Sequence, residues 1–242
     1  MKYNHNILEG KRWIWFDLDD TLYDFSASSL IALGEMYAAH RLDRFFENEN
    51  QWRDIYHRHN DALWAKYSLG LVDQPTLRRD RFLLPLLEVG TPRDIAEQLT
   101  NTLDTDYLAA LARTGLTRPF ARELLVEARR RGYKIGILSN GFVDVQFDKI
   151  RTARLSDLID CVVLSDEIGF NKPDRRLFEY ALRRAGATAE ESVLIGDNPS
   201  TDIEGALRAG WSAILYDPEE RFEYDGFSVI RTLDPESIFS KK

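Results

Sequence analysis

Ile14-Trp15-Phe16-Asp17-Leu18-Asp19-Asp20-Thr21-Leu22 decides the fold: an apolar run ends abruptly in a D-x-D-x-T cluster. A strand sends alternate side chains to opposite faces, but where it ends and turns, residues two apart can converge on one crevice. At roughly 4 Å and an effective dielectric near 20, two carboxylates repel by about 4 kcal/mol. Such a pair is tolerated with a cation or a shared proton. Alone, an acidic turn after a strand is also the ordinary composition of a solvated loop or helix cap, so the reading depends on what else the chain brings there.

Three further apolar runs each lead into a polar loop. Tyr133 to Leu138 leads into Ser139-Asn140-Gly141, Cys161 to Leu164 leads to Asn171-Lys172-Pro173, and Ser192 to Ile195 leads into Gly196-Asp197 and on to Asp202. Amphipathic helical segments alternate with them: Glu123 to Arg131 stops at Gly132, and Asp174 to Arg184 follows Pro173. Alternation of this kind predicts an α/β core, a Rossmann-like three-layer arrangement around a mainly parallel sheet. Further strands are expected at Ser212 to Tyr216 and Phe227 to Leu233. In an open parallel sheet the loops at the carboxyl ends of the strands share one crevice.

Between Leu22 and Pro119 the strand pattern disappears and helical periodicity takes over. Trp52, Ile55, Tyr56, His59 and Leu63 recur at three- and four-residue steps before Gly70. Thr91-Pro92 predicts an N-cap and first-turn proline, with Asp94 in the opening turn and Ile95, Leu99 and Leu103 on one face behind them. Pro85 is expected to kink or end the helix around Leu77 to Val89. The organisation is therefore a discontinuous core, residues 1–22 and 114–242, with an all-helical insertion, residues 23–113.

With 242 residues, 44% hydrophobic and 30% charged, the chain is long and apolar enough for a sizeable core. Its net charge of −8 argues against a general partner role with nucleic acid polymers or membrane surfaces. Cys161 is the single cysteine, which leaves neither a disulfide framework nor a cysteine zinc site. Ile7 to Leu8 is too short to be the apolar core of a signal peptide, no segment suits a bilayer, and a cytoplasmic location is expected. The four histidines, His5, His40, His57 and His59, fall outside every loop named above, which argues against histidine catalysis.

The four loops, in this order, resemble the motifs of the haloacid dehalogenase-like superfamily of phosphohydrolases. Asp17 and Asp19 fit its first motif, Ser139 its second, Lys172 its third, and Asp197 with Asp202 its fourth. Segments 134–142 and 172–182 are similar to pyrimidine 5′-nucleotidases that act on noncanonical nucleoside monophosphates. Leu63 to Tyr67 and Arg81-Phe82 resemble the cap of that group. The resemblance implies that the helical insertion is a mobile cap over the active site.

It also implies roles. Asp17 is the expected nucleophile, forming an aspartyl-phosphate, and Asp19 the group that protonates the leaving oxygen and then takes a proton from water. A carboxylate of Asp17, the backbone carbonyl of Asp19 and Asp197 form an all-oxygen set suited to Mg2+. Asp202 is open between direct ligation, ligation through water and orientation of Lys172. Lys172 is expected to balance the charge of the transferring group, and Ser139 with the amides of Asn140 and Gly141 to hydrogen-bond the phosphate. Thr21 helps shape the first motif. Trp64, Lys66, Tyr67 and Arg81 are candidate substrate contacts, with Trp64, Tyr67 and Phe82 able to stack on a base.

The expected partner is a small phosphomonoester; the oligomeric state is open. Three other readings stand beside the Mg2+-dependent phosphatase. A dehalogenase of the family lacks an acid at the position of Asp19. A phosphomutase or pyrophosphatase would share the catalytic residues, and a non-catalytic binding module would not need the complete set.

Overall fold

The computed structural model describes residues 5–222 and 226–240. It divides into two compact units, Met1–Phe25 with Gly115–Lys242, and Ser26–Thr114.

The first unit is built on a six-stranded parallel sheet. Its strands are β1 (Trp13–Phe16), β2 (Lys134–Ser139), β3 (Cys161–Leu164), β4 (Ser192–Gly196), β5 (Ser212–Tyr216) and β6 (Ser228–Ile230), in the order β3-β2-β1-β4-β5-β6. All four residues of β1 are buried, as a central parallel strand covered on both faces requires. Ile14 and Phe16 join Ile135, Ile137, Val193 and Ile195 on one face. Trp13 and Trp15 join Leu138, Leu194 and Trp211 on the other. The Trp15 ring lies over Gly136, where a Cβ would come within 2.2 Å of it, so a glycine is required in the neighbouring strand.

Helices cover both faces. After β1 the chain enters α1 (Phe25–Ala39), α2 (Glu49–Ser68), α3 (Gln74–Glu88) and α4 (Arg93–Thr114), then returns through α5 (Ala121–Arg130). Leu124, Leu125 and Ala128 of α5 pack on the Ile14 face. Following β2 comes α6 (Val143–Thr152); α7 (Arg175–Ala185) follows β3 and sets Leu177, Phe178 and Ala181 on the Trp15 face. Short helices α8 (Glu204–Arg208) and α9 (Pro235–Phe239) complete this unit. Among the described residues no helix is long and apolar enough to cross a membrane.

The insertion expected to start at residue 23 starts at Ser26 and ends at Thr114. Tyr23 bridges both Asp19 and Thr117, and the Asp24 amide donates to the Leu116 carbonyl at 3.1 Å. The outgoing and returning crossings thus pair with each other, which keeps residues 23–25 with the sheet.

The second unit is all helical and is held by an aromatic cluster. Tyr56 lies 5.7 Å from Trp52, 5.2 Å from Phe82 and 5.5 Å from Tyr107 between ring centroids. Asn48 and Asp73 cap α2 and α3 with side-chain oxygens. Helix α3 does not end at Pro85 but runs through it to Glu88. The proline lacks only the N–H that would bond the Arg81 carbonyl, and burial of Leu83 and Leu86 beside it offsets that loss. The Thr91 hydroxyl is buried without a partner, so it does not cap α4 as expected. Helix α4 buries Ala96, Thr100, Leu103 and Tyr107, while Ile95 is 36% exposed.

Candidate active site

Asp17 follows β1 and Asp197 follows β4, the two strands between which the strand order reverses direction. Ligand crevices in open α/β sheets form at this switch point. Parallel pairing places Phe16 opposite both Ile137 and Ile195, so Asp17, Ser139 and Asp197 emerge at adjacent strand ends.

Lys172 enters from the β3–α7 connection and is 2% exposed. Its Nζ donates to Asp17 Oδ1 at 2.6 Å and contacts Asp202 Oδ1 at 2.7 Å. Its position is fixed by Asn140, whose Oδ1 accepts from the Lys172 amide at 2.7 Å and whose Nδ2 donates to the Lys172 carbonyl at 3.0 Å. Asn140 thus ties the loop after β2 to the one carrying Lys172. Burial opposes the charge of Lys172, but Asp17 and Asp202 outweigh it and hold the pKa above the ordinary lysine value. Burial, reinforced by Asp202 and Asp197, pushes Asp17 above the usual carboxylate range, against the pull of Lys172.

Asp202 sits in the turn Pro199–Ile203 and accepts from the Asn198 amide at 3.0 Å through Oδ2. It can approach this closely because Gly196 has no side chain; a Cβ there would lie 2.3 Å from that oxygen. One carboxylate oxygen each of Asp17, Asp197 and Asp202 lies within 4.8 Å of the other two. Hard oxygen donors in a cluster deficient in positive charge fit Mg2+. Asp197 is pushed up to about 7, by burial first and then by Asp202 and Asp20. Arg221 opposes this, its guanidinium 3.3 Å from Asp197 Oδ2.

Ser139 is 2% exposed, and its Oγ accepts from Gln146 Nε2 at 2.8 Å and from the Gly141 amide at 3.2 Å. A hydroxyl has two acceptor sites and one proton, so the proton is its remaining capacity, which suits an anionic ligand. Asp19 points elsewhere. Its Oδ1 accepts from Lys149 Nζ at 2.7 Å and its Oδ2 from Gln146 Nε2 at 2.9 Å. Thr21 is fully buried, and its hydroxyl has no hydrogen-bond partner.

Gln146, Lys149 and Arg221 were not expected at the site. A signal for the first two lies in α6, which buries Gln146 and Lys149 beside Val145 and Ile150. Polar residues on the face that an amphipathic helix buries need partners. Nothing in sequence marked Arg221, which reaches Asp197 from 24 residues away.

In the helical unit, Trp64 and Tyr67 near the end of α2 are half-buried with their rings edge-to-face at 5.5 Å, and Lys66 is exposed. Arg81 departs from its expected role. It is 4% exposed, bonded to Asp104 at 2.5 Å, with its guanidinium 5.1 Å from both the Phe82 and Tyr107 rings. Phe82 is fully buried in the same cluster. Both residues serve the core of that unit: the guanidinium is buried, paired with Asp104 and packed over the two rings. His40 and His59 are hydrogen-bonded to Asp106 and Glu88 within the helical unit.

A Rossmann-like sheet with carboxylates and a buried lysine gathered at its switch point is the arrangement of an α/β enzyme. The chain belongs to the haloacid dehalogenase-like hydrolases, whose family model matches residues 11–210. It is 30% identical to a pyrimidine 5′-nucleotidase of Escherichia coli over 91% of this chain and 92% of that one. It is 32% identical to a phosphoserine phosphatase of Thermus thermophilus over 83% and 86% of the two chains. The crystal structure of a hydrolase of this family from Bacillus subtilis bound to magnesium matches its fold with a TM-score of 0.82 at 24% identity, covering 99% of each chain.

Proposed function

We infer that the protein is a Mg2+-dependent phosphomonoesterase that works through an aspartyl-phosphate on Asp17 and takes pyrimidine nucleoside 5′-monophosphates. One observation carries the reaction type: Lys172 is bonded to Asp17 while a second carboxylate, Asp19, stands free of that pair with its own donors. A nucleophile and an acid–base group are thereby kept apart.

A carboxylate oxygen of Asp17 attacks phosphorus as the bond to the leaving oxygen breaks, and Asp19 delivers a proton to that oxygen. Asp19, now ionised, takes a proton from water. The water oxygen attacks phosphorus, the bond to Asp17 breaks, and inorganic phosphate leaves. Lys172 and the Ser139 proton stabilise the charge on the equatorial oxygens throughout. Asp17 and Asp197, with the Asp19 carbonyl, would hold Mg2+, which when bound supplies positive charge at the transferring group. Asp202 orients Lys172. The acid at Asp19 argues against dehalogenation, since a halide leaves without a proton.

The pyrimidine nucleotide assignment rests on the resemblance of segments 134–142 and 172–182 and on the likeness to the E. coli nucleotidase. Trp64, Lys66 and Tyr67 are the candidate specificity residues of the helical unit, which we read as the cap. The test is kcat/KM of the purified protein with Mg2+ across phosphorylated metabolites, together with mass-spectrometric detection of phosphate on Asp17. Uridylate- and thymidylate-type monophosphates should exceed purine nucleotides and sugar phosphates. Preference for a sugar phosphate would refute the nucleotide assignment, and an unmodified Asp17 during turnover would refute the covalent route.

A further inference from the structure

Helix α6 buries a lysine and a glutamine where an amphipathic helix would ordinarily bury apolar side chains. Lys149 is 3% and Gln146 is 1% exposed. The Lys149 ammonium sits 5.3 Å from the centroid of the Tyr23 ring and 4.9 Å from that of Phe25, an aromatic setting that stabilises the cation and restricts its movement. From there it bonds Asp19 Oδ1 at 2.7 Å. The Gln146 amide nitrogen reaches two acceptors at once, Asp19 Oδ2 at 2.9 Å and Ser139 Oγ at 2.8 Å. Its own place is protected by the missing side chain of Gly141, where a Cβ would lie 2.2 Å from that nitrogen.

Both oxygens of Asp19 are therefore held, each by a different side chain of one rigid helix. The Asp19 side chain remains 30% exposed, so the carboxylate is gripped from one side and open on the other. A purely structural pair would gain nothing from ending on a residue at the reacting centre. Replacing a buried ion pair by well-packed apolar groups is often neutral or stabilising, so stability alone does not account for a lysine here.

We propose that Lys149 and Gln146 are positioning residues for Asp19. They fix its carboxylate in one orientation for both proton transfers, and Gln146 sets its distance from the phosphate-binding hydroxyl of Ser139. This deepens the phosphatase reading and rests on it. A group that moves a proton must be held within a fraction of an ångström of its working place, and a misplacement of about 1 Å can reduce the rate by roughly 10²-fold.

The test is a double-mutant cycle read with two substrates, an alkyl phosphate with a poor leaving group and an aryl phosphate with a good one. Lys149→Met and Gln146→Met are close to the native side chains in volume, and thermal melts verify that each variant folds. With the alkyl phosphate, each should lower kcat by roughly 10²-fold in the wild-type background while KM changes by less than about threefold. In the Asp19→Asn background the same substitutions should change kcat by less than about threefold, because the group they position no longer transfers protons. With the aryl phosphate, the rate of the first phosphoryl transfer should be nearly preserved and a burst should appear as the water step becomes limiting. Equal losses in both backgrounds, or equal losses in the rate of the first phosphoryl transfer for both leaving groups, would show a structural role and overturn the proposal. An unchanged kcat in both variants would do the same. A wild-type protein that transfers no phosphoryl group from either substrate would overturn the phosphatase reading and the proposal with it.

Discussion

The Nζ of Lys172 lies 2.6 Å from Oδ1 of Asp17, and this contact joins the end of the central strand β1 to the loop that follows β3. The same ammonium bonds Asp202, so one lysine holds two of the three carboxylates at the switch point. Lys172→Met should therefore act on stability as well as on rate. Removing one partner of a buried ion pair costs about 3–5 kcal/mol because the charge left behind is uncompensated. Urea denaturation in the absence of metal should show a loss of that size, and saturating Mg2+ should restore part of it.

Asp17→Asn keeps the shape of the side chain and removes the nucleophile. Turnover should vanish while the melting temperature is held or raised, since the folded state no longer buries that charge. Asp19→Asn should lower kcat roughly 10²- to 10⁴-fold, with a smaller loss for an aryl phosphate. Steady-state kinetics on both substrates checks this, and an equal loss for all leaving groups would remove proton donation from the first step.

Metal binding should depend on pH through Asp197. Its pKa is pushed up to about 7 in the metal-free protein, well above the usual carboxylate range. A carboxylate raised in this way favours folding most at low pH, and its contribution is lost as pH rises through about 7. Mg2+ requires the ionised form, so its affinity should fall progressively below a pH of about 7 while proton release on binding increases there. Calorimetry in buffers of different ionisation enthalpy measures both. Turnover that persists in excess chelator would contradict the need for a metal altogether.

Arg81 and Trp64 should behave differently although both were candidates for substrate contact. Arg81→Ala breaks a buried pair with Asp104 and strips a guanidinium from the Phe82 and Tyr107 rings. It should destabilise the helical unit by about 3–5 kcal/mol. Any effect on kcat/KM should be the same for every substrate. Alanine at Trp64, Lys66 or Tyr67 should instead lower kcat/KM for a pyrimidine nucleotide far more than for a generic aryl phosphate, because remote binding energy is lost only where the substrate has a remote part. Melting curves and parallel kinetics separate the two cases.

The sequence by itself determined the sheet and the list of groups at its edge. Continuous apolar runs ending in Asp17, Ser139 and Asp197 identify buried parallel strands whose ends carry chemistry, because period and punctuation are local properties of the chain. Lys172 and Asp202 were legible for the same reason, each lying a short loop beyond its strand. Only the tertiary structure decided the pairings. That Asn140 clamps the backbone of Lys172, that Lys149 and Gln146 hold Asp19, and that Arg221 reaches Asp197 are contacts spanning 24 to 130 residues. No local pattern encodes such distances. Arg81 shows the same limit from the other side, since a charged residue in an amphipathic helix is ordinarily exposed, and only the position of Asp104 on α4 makes its burial possible.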